Sequence, residues 1–302
     1  MKKTLSKLRA YFSSLIIDRI ESYDKRLEEA IYFKNSSIRQ LSLIMNYKSM
    51  AEQKEVKPLS FKDVGFREYS QHEEDGILLY IFSLIGTTNK KFVEMCAGNG
   101  LECNTTNLVI NHRWTGAMFD GNEENVKKGH RFFSQHKDSM YWTPNFVHSW
   151  IDKENINQLI EQADIKGEID LFSLDIDGND YWLLQELNII NPRVIVLEFN
   201  HLWGAEEAVT VPYNPSFVAE FSEYGSDYAG ASLAAFVKLG KEKGYRLVGT
   251  NQIATNAFFV RNDIVHDWLP EIDVKTCFEH PRAKFGMQQR FQNIKNKKWE
   301  KV

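Results

Sequence analysis

The chain has 302 residues, of which 43% are hydrophobic, and its 41 acidic and 37 basic side chains give a formal net charge of −4 at pH 7. Domains dedicated to nucleic acid are usually basic, so this balance argues against nucleic acid as a partner. No apolar run approaches the roughly 18 residues of a membrane-spanning helix, and charges interrupt the N-terminal stretch where a secretory signal would lie. The three cysteines form no CxxC pair, which fits a reducing compartment. We therefore expect a cytoplasmic protein with a packed core.

The first part of the chain is predicted to be a helical extension. Apolar residues recur at steps of three and four from Leu5 to Ile31, with charged residues between them. A shorter set with the same spacing predicts a second helix: Ile38, Leu41, Ile44 and Met45. A polar stretch then leads to Pro58, so we divide the chain into an extension over residues 1–57 and an α/β domain over residues 58–302. The extension either forms a homodimer, packs on its own α/β domain or attaches to a membrane surface.

From residue 91 onward, short apolar runs alternate with segments of helical periodicity. The runs predict five strands: 91–96, 116–119, 145–149, 170–174 and 194–198. The segments between them predict four helices: 104–111, 123–136, 153–162 and 180–187. Strands that alternate with helices indicate an α/β fold with a parallel sheet covered on both faces.

The C-terminal part of this series differs from the rest. A helix is predicted over residues 232–243, followed by strands over residues 245–249 and 257–261. The connection between these strands is too short for a parallel crossover, so they must be antiparallel. Five α/β units closed by a hairpin are typical of the Rossmann-like sheet of class I methyltransferases, and not of nicotinamide-binding domains.

A glycine-containing turn, EMCAGNG over residues 94–100, follows the first predicted strand. Glycines at a strand-to-helix turn let the backbone approach a ligand closely, because no Cβ intervenes. The predicted contacts with a nucleoside cofactor in this turn are Glu94, Ala97, Gly98 and Gly100. A dinucleotide fingerprint would place a third glycine near position 103, where the chain has Cys103, and this disfavours NAD.

Two further residues are predicted to contact the cofactor. Asp120 closes the second strand, and an acid at this point can accept hydrogen bonds from both ribose hydroxyls of a nucleoside. The alternative is that Asp120 only caps the helix that begins near Glu123. Trp150 lies just past the third strand and is predicted to flank the adenine, unless it is an ordinary core residue.

Polar side chains follow the fourth and fifth predicted strands. Asp175 and Asp177 come after the fourth strand, and Glu198, Asn200 and His201 end the fifth. Open α/β sheets bind ligands at this carboxyl edge, and oxygen ligands of this type suit Mg²⁺, Mn²⁺ or Ca²⁺. A metal there would lower the pKa of a substrate hydroxyl, and His201 or Asp177 would take its proton. The alternative is that Asp177 caps the following helix and His201 is structural.

Four segments together resemble the FkbM-type branch of S-adenosylmethionine-dependent methyltransferases, over residues 66 to 262. The segments are YSQHEEDG (69–76), FVEMCAGNG (92–100), SLDIDGNDY (173–181) and VIVLEFN (194–200). The resemblance implies methyl transfer from S-adenosylmethionine, commonly to oxygen and often on sugars, in bacteria frequently in polysaccharide biosynthesis. It further implies that Glu94 is the acid of the glycine turn, that Asp120 binds the ribose and that segment 70–75 closes over the site. His72 and Glu73 depart from the commoner glycine-containing form of that segment.

A looser similarity links the chain to metal-dependent catechol and sugar O-methyltransferases, which place an acid after the fourth strand and an Asp-Asn or Asp-Asp pair after the fifth. The corresponding metal ligands here are Asp175, Asp177, Glu198 and Asn200. Phe199 separates the last two, so the adjacent pair is broken. Asp175 is also included among the predicted cofactor contacts.

The stretch over residues 200–232 is aromatic and lacks clear periodicity, so it is either a substrate-covering lid or an irregular core insertion. The function predicted from the sequence is an S-adenosylmethionine-dependent O-methyltransferase whose substrate is a sugar nucleotide or a polysaccharide intermediate. Two alternatives from other classes remain: an NAD-dependent oxidoreductase, and an inactive cofactor-binding scaffold that recruits a partner enzyme.

Overall fold

A computed structural model describes residues 36–302 of the chain. A helix, α1, covers residues 36–51, which confirms the second predicted N-terminal helix; the first, over residues 5–31, lies outside the described residues. The described residues up to Asn46 and those from Tyr47 onward belong to two separate compact units. No helix in the described part of the chain has the length and apolar character needed to cross a membrane. The homodimer and the boundary after residue 57 stay predictions.

Seven strands of the second unit form one sheet. They are β1 (Lys91–Met95), β2 (Thr115–Asp120), β3 (Asn145–His148), β4 (Gly167–Leu174), β5 (Ile190–Glu198), β9 (Tyr245–Thr250) and β10 (Asn256–Arg261). Their order is β3-β2-β1-β4-β5-β10-β9. The first five strands are parallel, whereas β10 is antiparallel to both β5 and β9. The predicted α/β class and the antiparallel terminal hairpin are therefore confirmed, with strand ends shifted by a few residues.

The helices of this unit pack around the sheet. They are α2 (Phe61–Val64), α3 (Glu74–Ile85), α4 (Thr106–His112), α5 (Glu123–Gln135), α6 (Ile156–Gln162), α7 (Asp180–Glu186), α8 (Leu233–Glu242), α9 (Pro281–Phe285) and α10 (Phe291–Ile294). The strand order reverses between β1 and β4, and right-handed crossovers therefore place helices on both faces of the sheet. Ligands of open α/β sheets bind outside the carboxyl ends of the strands at such a reversal.

Helix α3 has no counterpart in the periodicity of the sequence. Its residues are buried continuously from Glu74 to Ser83. A helix that is buried all round carries apolar residues on every side, so it lacks the amphipathic pattern by which surface helices are recognised.

The segment predicted as a lid or an irregular insertion holds three short strands: β6 (Val209–Thr210), β7 (Glu220–Ser222) and β8 (Gly225–Tyr228). β7 and β8 form an antiparallel hairpin, and β6 pairs with β11 (Glu300–Lys301). The end of the chain therefore returns to this segment and pairs with it.

A buried ion pair joins the amino-terminal parts of β4 and β5. Asp170 accepts hydrogen bonds from the backbone N–H groups of residues 88, 89 and 90, and its Oδ1 lies 2.9 Å from Nη1 of Arg193. Arg193 also donates to the carbonyl oxygens of Ile85 and Gly86, at the C-terminus of α3. Both side chains are at least nine-tenths buried. The pair therefore ties α3 and the loop before β1 to the centre of the sheet.

Removing one partner of this pair should strongly destabilise the fold. Arg193→Met would leave the Asp170 carboxylate buried without its counter-charge, and we expect the free energy of unfolding in urea to fall by about 3–5 kcal/mol. The double variant Asp170→Asn, Arg193→Met removes both charges and should be more stable than the single variant. Lys127→Met, in an exposed pair with Glu123, is the control and should change little. Equal stability of Arg193→Met and the wild type would contradict this role.

Candidate functional site

The glycine turn after β1 is fixed by Glu94. Its buried carboxylate accepts hydrogen bonds from the backbone N–H groups of Asn104 and Thr105, at the start of α4, and from the hydroxyls of Thr105 and Ser173. Burial raises the pKa of Glu94, and these donors oppose the rise. Because the carboxylate is engaged by the chain itself, Glu94 holds the turn between β1, β4 and α4. Its predicted contact with a cofactor stays a prediction.

Asp120 lies across the turn from Glu94, at the end of β2. Its Oδ2 accepts a hydrogen bond of 2.8 Å from the backbone N–H of Gly98, and its Oδ1 accepts from Asn122 and Asn125. Gly98 has a φ of +55°, and no atom of the described residues lies within 4 Å of the position a Cβ would take. The turn thus presents open backbone beside a carboxylate, as expected for residues that approach a ligand.

Two other predicted contacts of the turn, Ala97 and Gly100, face inward. Ala97 is buried, and its carbonyl oxygen accepts hydrogen bonds from the N–H of Gly100 and the thiol of Cys103. A Cβ at Gly100 would lie 2.6 Å from the ring of Phe146, so this glycine packs against the core. Of the predicted turn residues, Gly98 is therefore the one whose missing side chain leaves open space.

A small pocket of about 70 Å³ lies next to this turn, and we call it the Trp150 pocket. It is lined by Cys96, Gly121, Ser149, Trp150, Ile151, Ile176, Gly178, Asn179 and Phe217. These residues follow β1, β2, β3 and β4, except for Phe217, which comes from the segment after β6. Trp150 is 59% exposed and lies over Gly121, so it forms a wall of the pocket and not part of the core.

The segment over residues 211–217 is held against the Trp150 pocket by hydrogen bonds. The indole N–H of Trp150 donates to the carbonyl oxygen of Pro215 over 2.7 Å, and the amide of Asn179 donates to that of Asn214. The ring of Phe217 packs so closely on Gly178 that a Cβ there would lie 2.5 Å from it. Phe217 therefore fills part of the pocket.

A second cavity, of about 300 Å³, lies at the carboxyl ends of β4 and β5, and we call it the acidic cleft. Its floor carries four carboxyl groups: Asp175, Asp177, Asp180 and Glu198. Its other polar or charged side chains are Gln71, His72, Asn200, His201, Tyr224, Thr255, Arg282 and Arg290. Asp175 thus faces the acidic cleft, and it does not line the Trp150 pocket.

Three of these carboxyl groups can share one ligand. Oxygens of Asp175, Asp177 and Glu198 all lie within 4.8 Å of one another. Burial raises the pKa of Asp175 to about 6 and, with the negative charge of Asp175 beside it, raises that of Glu198 well above its usual range. Asp177 adopts a left-handed φ of +53°, which for a residue other than glycine is tolerated best by Asp and Asn. The group therefore needs either protons or a cation to offset its charge.

The loop from residue 175 to residue 180 separates the two cavities. Its side chains and backbone divide between them: Asp175, Asp177 and Asp180 line the acidic cleft, and Ile176, Gly178 and Asn179 line the Trp150 pocket. The carboxylate of Asp180 accepts hydrogen bonds from the backbone N–H groups of Ile176 and Gly178, which fixes the loop. Burial, together with the nearby charge of Asp175, raises the pKa of Asp180 to about 7.

The two predicted polar residues after β5 have different environments. The side chain of Asn200 is engaged by the chain: its amide donates to the carbonyl oxygens of Asp227 and Ala229, and its Oδ1 accepts from the N–H of Leu202. The side chain of Asn200 is therefore bonded to the backbone and does not join the converging carboxyl groups of Asp175, Asp177 and Glu198. His201 is 6% exposed, and its Nε2 has no hydrogen-bond partner in the described part of the chain. Burial and the charges of Arg290 and Arg282 lower its pKa to about 4, so the imidazole is neutral at pH 7.

Gln71 and His72 reach the acidic cleft from the loop before α3. That loop is held by Asp75, whose Oδ2 accepts from the N–H groups of Glu68, Tyr69 and Ser70 over 2.6–2.8 Å. Segment 70–75 therefore borders the cleft, and its closing over the site stays a prediction. The sequence did not predict that His72 lines the cleft, because the loop before α3 is far in the sequence from β4 and β5.

The two arginines of the cleft come from the C-terminal segment, which sequence patterns left unassigned. Arg290 forms a buried ion pair of 2.6 Å with Asp227 of β8, so the hairpin is fastened to this segment. Arg282 lies on α9 and is exposed. Residues about 90 positions beyond β5 carry no local signal that would connect them to the cleft, and their contribution follows only from the tertiary structure.

Comparison with known proteins gives matches among solved structures only: no family model and no curated protein matches the chain. An S-adenosylmethionine-dependent methyltransferase from Clostridium acetobutylicum ATCC 824 is 11% identical; the match covers 67% of this chain and 92% of that one, with a TM-score of 0.41. Magnesium protoporphyrin IX methyltransferase from Synechocystis PCC 6803 is 12% identical over 56% of this chain and 69% of that one, with a TM-score of 0.36. A glycopeptide N-methyltransferase is 9% identical over 66% and 93%, with a TM-score of 0.40. Such scores are no basis for an activity, and membership of the FkbM-type branch stays a prediction.

The carboxyl group of Asp75 should make stability depend on pH. Burial raises its pKa to about 7, although three backbone N–H groups oppose the rise. A raised pKa means that the folded state holds the proton more tightly, so the stability from this group is complete below about pH 4 and is lost as the pH rises to 7. Asp75→Asn cannot ionise, so relative to the wild type it should gain up to about 4 kcal/mol between pH 4 and pH 8. Urea unfolding of both proteins across this range measures the difference, and a constant difference would contradict the assignment.

Proposed function

We propose that the protein is an S-adenosylmethionine-dependent O-methyltransferase that acts on a carbohydrate hydroxyl. The observation that carries the proposal is the loop 175–180, which forms one wall shared by the Trp150 pocket and the acidic cleft. Methyl transfer requires that donor and acceptor be held in line at short distance, and much of the rate acceleration comes from that alignment. Two cavities with a common wall at the carboxyl edge of a Rossmann-like sheet provide such an arrangement.

The proposed cofactor site consists of the Trp150 pocket and the neighbouring turn at Gly98. The backbone at Gly98 is open, and the Asp120 carboxylate beside it is an acceptor suited to ribose hydroxyls. The ring of Trp150 and the apolar side chains of Ile151 and Ile176 offer faces for adenine. The ring of Phe217 would have to move for a base to enter fully, because the pocket as it stands holds only about 70 Å³. S-adenosylmethionine, once bound, would supply an activated methyl group on a sulfonium sulfur.

The acidic cleft fits an acceptor held with a divalent cation. The convergent oxygens of Asp175, Asp177 and Glu198 are the hard ligands that Mg²⁺, Mn²⁺ and Ca²⁺ prefer. Such a cation would offset the charge of the group and favour the ionised form of a bound hydroxyl. The amide of Asn200 is engaged elsewhere, so the predicted fourth ligand is not supported by its hydrogen bonds.

The chain offers two groups for the hydroxyl proton. Asp177 is the most exposed of the three convergent carboxyl groups and can accept a proton from the acceptor. His201 lines the cleft and is neutral at pH 7, but a pKa of about 4 makes it a weak base, and its Nε2 is buried against Gly286. In the transfer, the acceptor oxygen bonds to the methyl carbon as the bond from that carbon to sulfur breaks, and the hydroxyl proton passes to the base.

A carbohydrate acceptor is supported by the walls of the acidic cleft. Phe221 and Tyr224, from the β7–β8 hairpin, both line it and are 67% and 50% exposed. Exposed aromatic rings bind the apolar faces of sugars, while the carboxylates and amides of the floor accept and donate hydrogen bonds to hydroxyls. On this basis we propose a sugar nucleotide or a polysaccharide intermediate as the substrate, and a role in bacterial surface polysaccharide biosynthesis.

Substituting Asp120 should weaken cofactor binding. Asp120→Ala removes the ribose acceptor and one support of the Gly98 turn, and we expect the Kd for S-adenosylhomocysteine, measured by calorimetry, to rise at least tenfold. Asp120→Asn keeps one acceptor oxygen and should have a smaller effect. Asp138→Ala, which removes an exposed acid paired with Lys137, is the control. Unchanged affinity in Asp120→Ala would refute the ribose assignment, and binding of NAD in place of S-adenosylhomocysteine would refute the proposed function.

The proposed cation can be tested without an assay of activity. Mn²⁺ binding to the purified protein, followed by electron paramagnetic resonance, should weaken at least tenfold in Asp177→Asn, because one charged ligand is lost. Asn tolerates the left-handed φ of this position, so the fold should be retained. Asp138→Asn again serves as the control. Identical Mn²⁺ binding by the wild type and Asp177→Asn would exclude these carboxylates as its site.

A further inference from the structure

The C-terminal segment contributes two arginines to the acidic cleft. Among the residues that line the cleft, the two arginines are Arg282 and Arg290. Arg290 is neutralised by Asp227, since the two side chains are each at least nine-tenths buried and their closest atoms lie 2.6 Å apart. For the guanidinium of Arg282, in contrast, the described part of the chain provides no ion pair and no hydrogen-bond acceptor. Arg282 is thus the uncompensated cation of the cleft.

Arg282 and His201 face the same space. Gly286 follows Arg282 by four residues, and both lie in right-handed helical backbone, so they share a face of this segment. That face packs on His201: a Cβ at Gly286 would lie 2.5 Å from Nε2 of the imidazole. The charge of Arg282 also contributes to the low pKa of His201. An uncompensated guanidinium therefore lies near a buried imidazole nitrogen that has no partner.

We propose that the acceptor carries an anionic group, a phosphate or a carboxylate, and that Arg282 binds it. This proposal rests on the proposed function, because it describes the substrate of the same site. Arg282 lines the same cleft as the proposed acceptor site, and its unpaired guanidinium is a cation with which an anionic group of the acceptor can form an ion pair. A guanidinium binds phosphate and carboxylate oxygens in pairs and so fixes orientation as well as charge. The anionic group thereby sets which hydroxyl of the sugar reaches the shared loop, and Arg282 is a specificity-determining residue.

The test compares acceptor analogues that differ in charge. The full-length chain, saturated with S-adenosylhomocysteine and Mg²⁺, is titrated calorimetrically with glucose 1-phosphate, glucuronate and glucose. We expect at least one anionic analogue to bind tenfold or more tightly than glucose, and the phosphate and carboxylate arms tell which anion is preferred. Inorganic phosphate should compete with a preferred sugar phosphate, and added salt should weaken the preference.

Two variants of α9 assign the preference to one side chain. Arg282→Gln should bring the anionic analogue to within about threefold of glucose, whereas Lys284→Gln, which removes a neighbouring exposed charge outside the cleft, should keep the wild-type preference. Equal binding of charged and uncharged analogues by the wild type, no binding of either anionic analogue, or an unchanged preference in Arg282→Gln would each overturn the inference. Failure of S-adenosylhomocysteine to bind at the start would instead refute the proposed function, so the two failures are distinguishable.

Discussion

The carboxylate of Glu94 lies at the carboxyl end of the central strand β1, and three parts of the chain depend on it. It accepts hydrogen bonds from two N–H groups at the start of α4 and from Ser173 of β4. Asn104 also donates to Ser173, so the strand reversal between β1 and β4 is closed by a connected set of polar side chains. A buried acid with this number of donors is stabilised as a fixed part of the frame. The Trp150 pocket and the acidic cleft both lie at the carboxyl edge of the sheet, where Glu94 is.

The carboxyl groups at the two ends of the sheet differ in whether the fold supplies a counter-charge. At the amino-terminal side, Asp170 is neutralised by Arg193 and by three backbone N–H groups, so the charge is compensated within the fold. At the carboxyl edge, Asp175 and Glu198 are half-buried side by side with no cation from the described residues between them, and partial burial raises both pKa values. The first arrangement stabilises structure, whereas the second leaves a charge to be offset by protons or by a ligand. Perturbed groups of the second kind concentrate at functional sites.

Much of the fold follows from local patterns in the sequence. The alternation of short apolar runs with helical segments predicted all seven strands of the sheet, and the short connection between β9 and β10 predicted their antiparallel pairing. The periodicity argument failed for α3, since a helix buried on every side has no polar face to define a period. The strands β6, β7, β8 and β11 are only two to four residues long, and β6 pairs with a strand about 90 residues away. No local pattern specifies such a pairing.

The same distinction applies to the site. Asp175, Asp177 and Glu198 were predicted to meet because they end adjacent parallel strands, and their oxygens do converge. Asn200 ends the same strand region, but its amide is engaged by the backbone near β8, a competition that strand position alone does not reveal. His72, on the loop before α3, and Arg282, on α9, are far from β4 and β5 in the sequence, and their contact with the cleft depends on long-range packing. Sheet topology thus predicts the floor of the site, and tertiary contacts supply its walls.

The loop 175–180 is shared by the two cavities, whereas other segments line only one of them. The residues of this loop divide between the two cavities, so a change in its backbone would alter the walls of both. The aromatic hairpin and α9, by contrast, line the acidic cleft without touching the Trp150 pocket. Asp227 of the hairpin forms a buried ion pair with Arg290, in the helical turn that follows α9, so the hairpin is fastened to the C-terminal segment. Under the proposed function, exchanging the hairpin together with the C-terminal segment would change which acceptor binds while the Trp150 pocket stays unchanged.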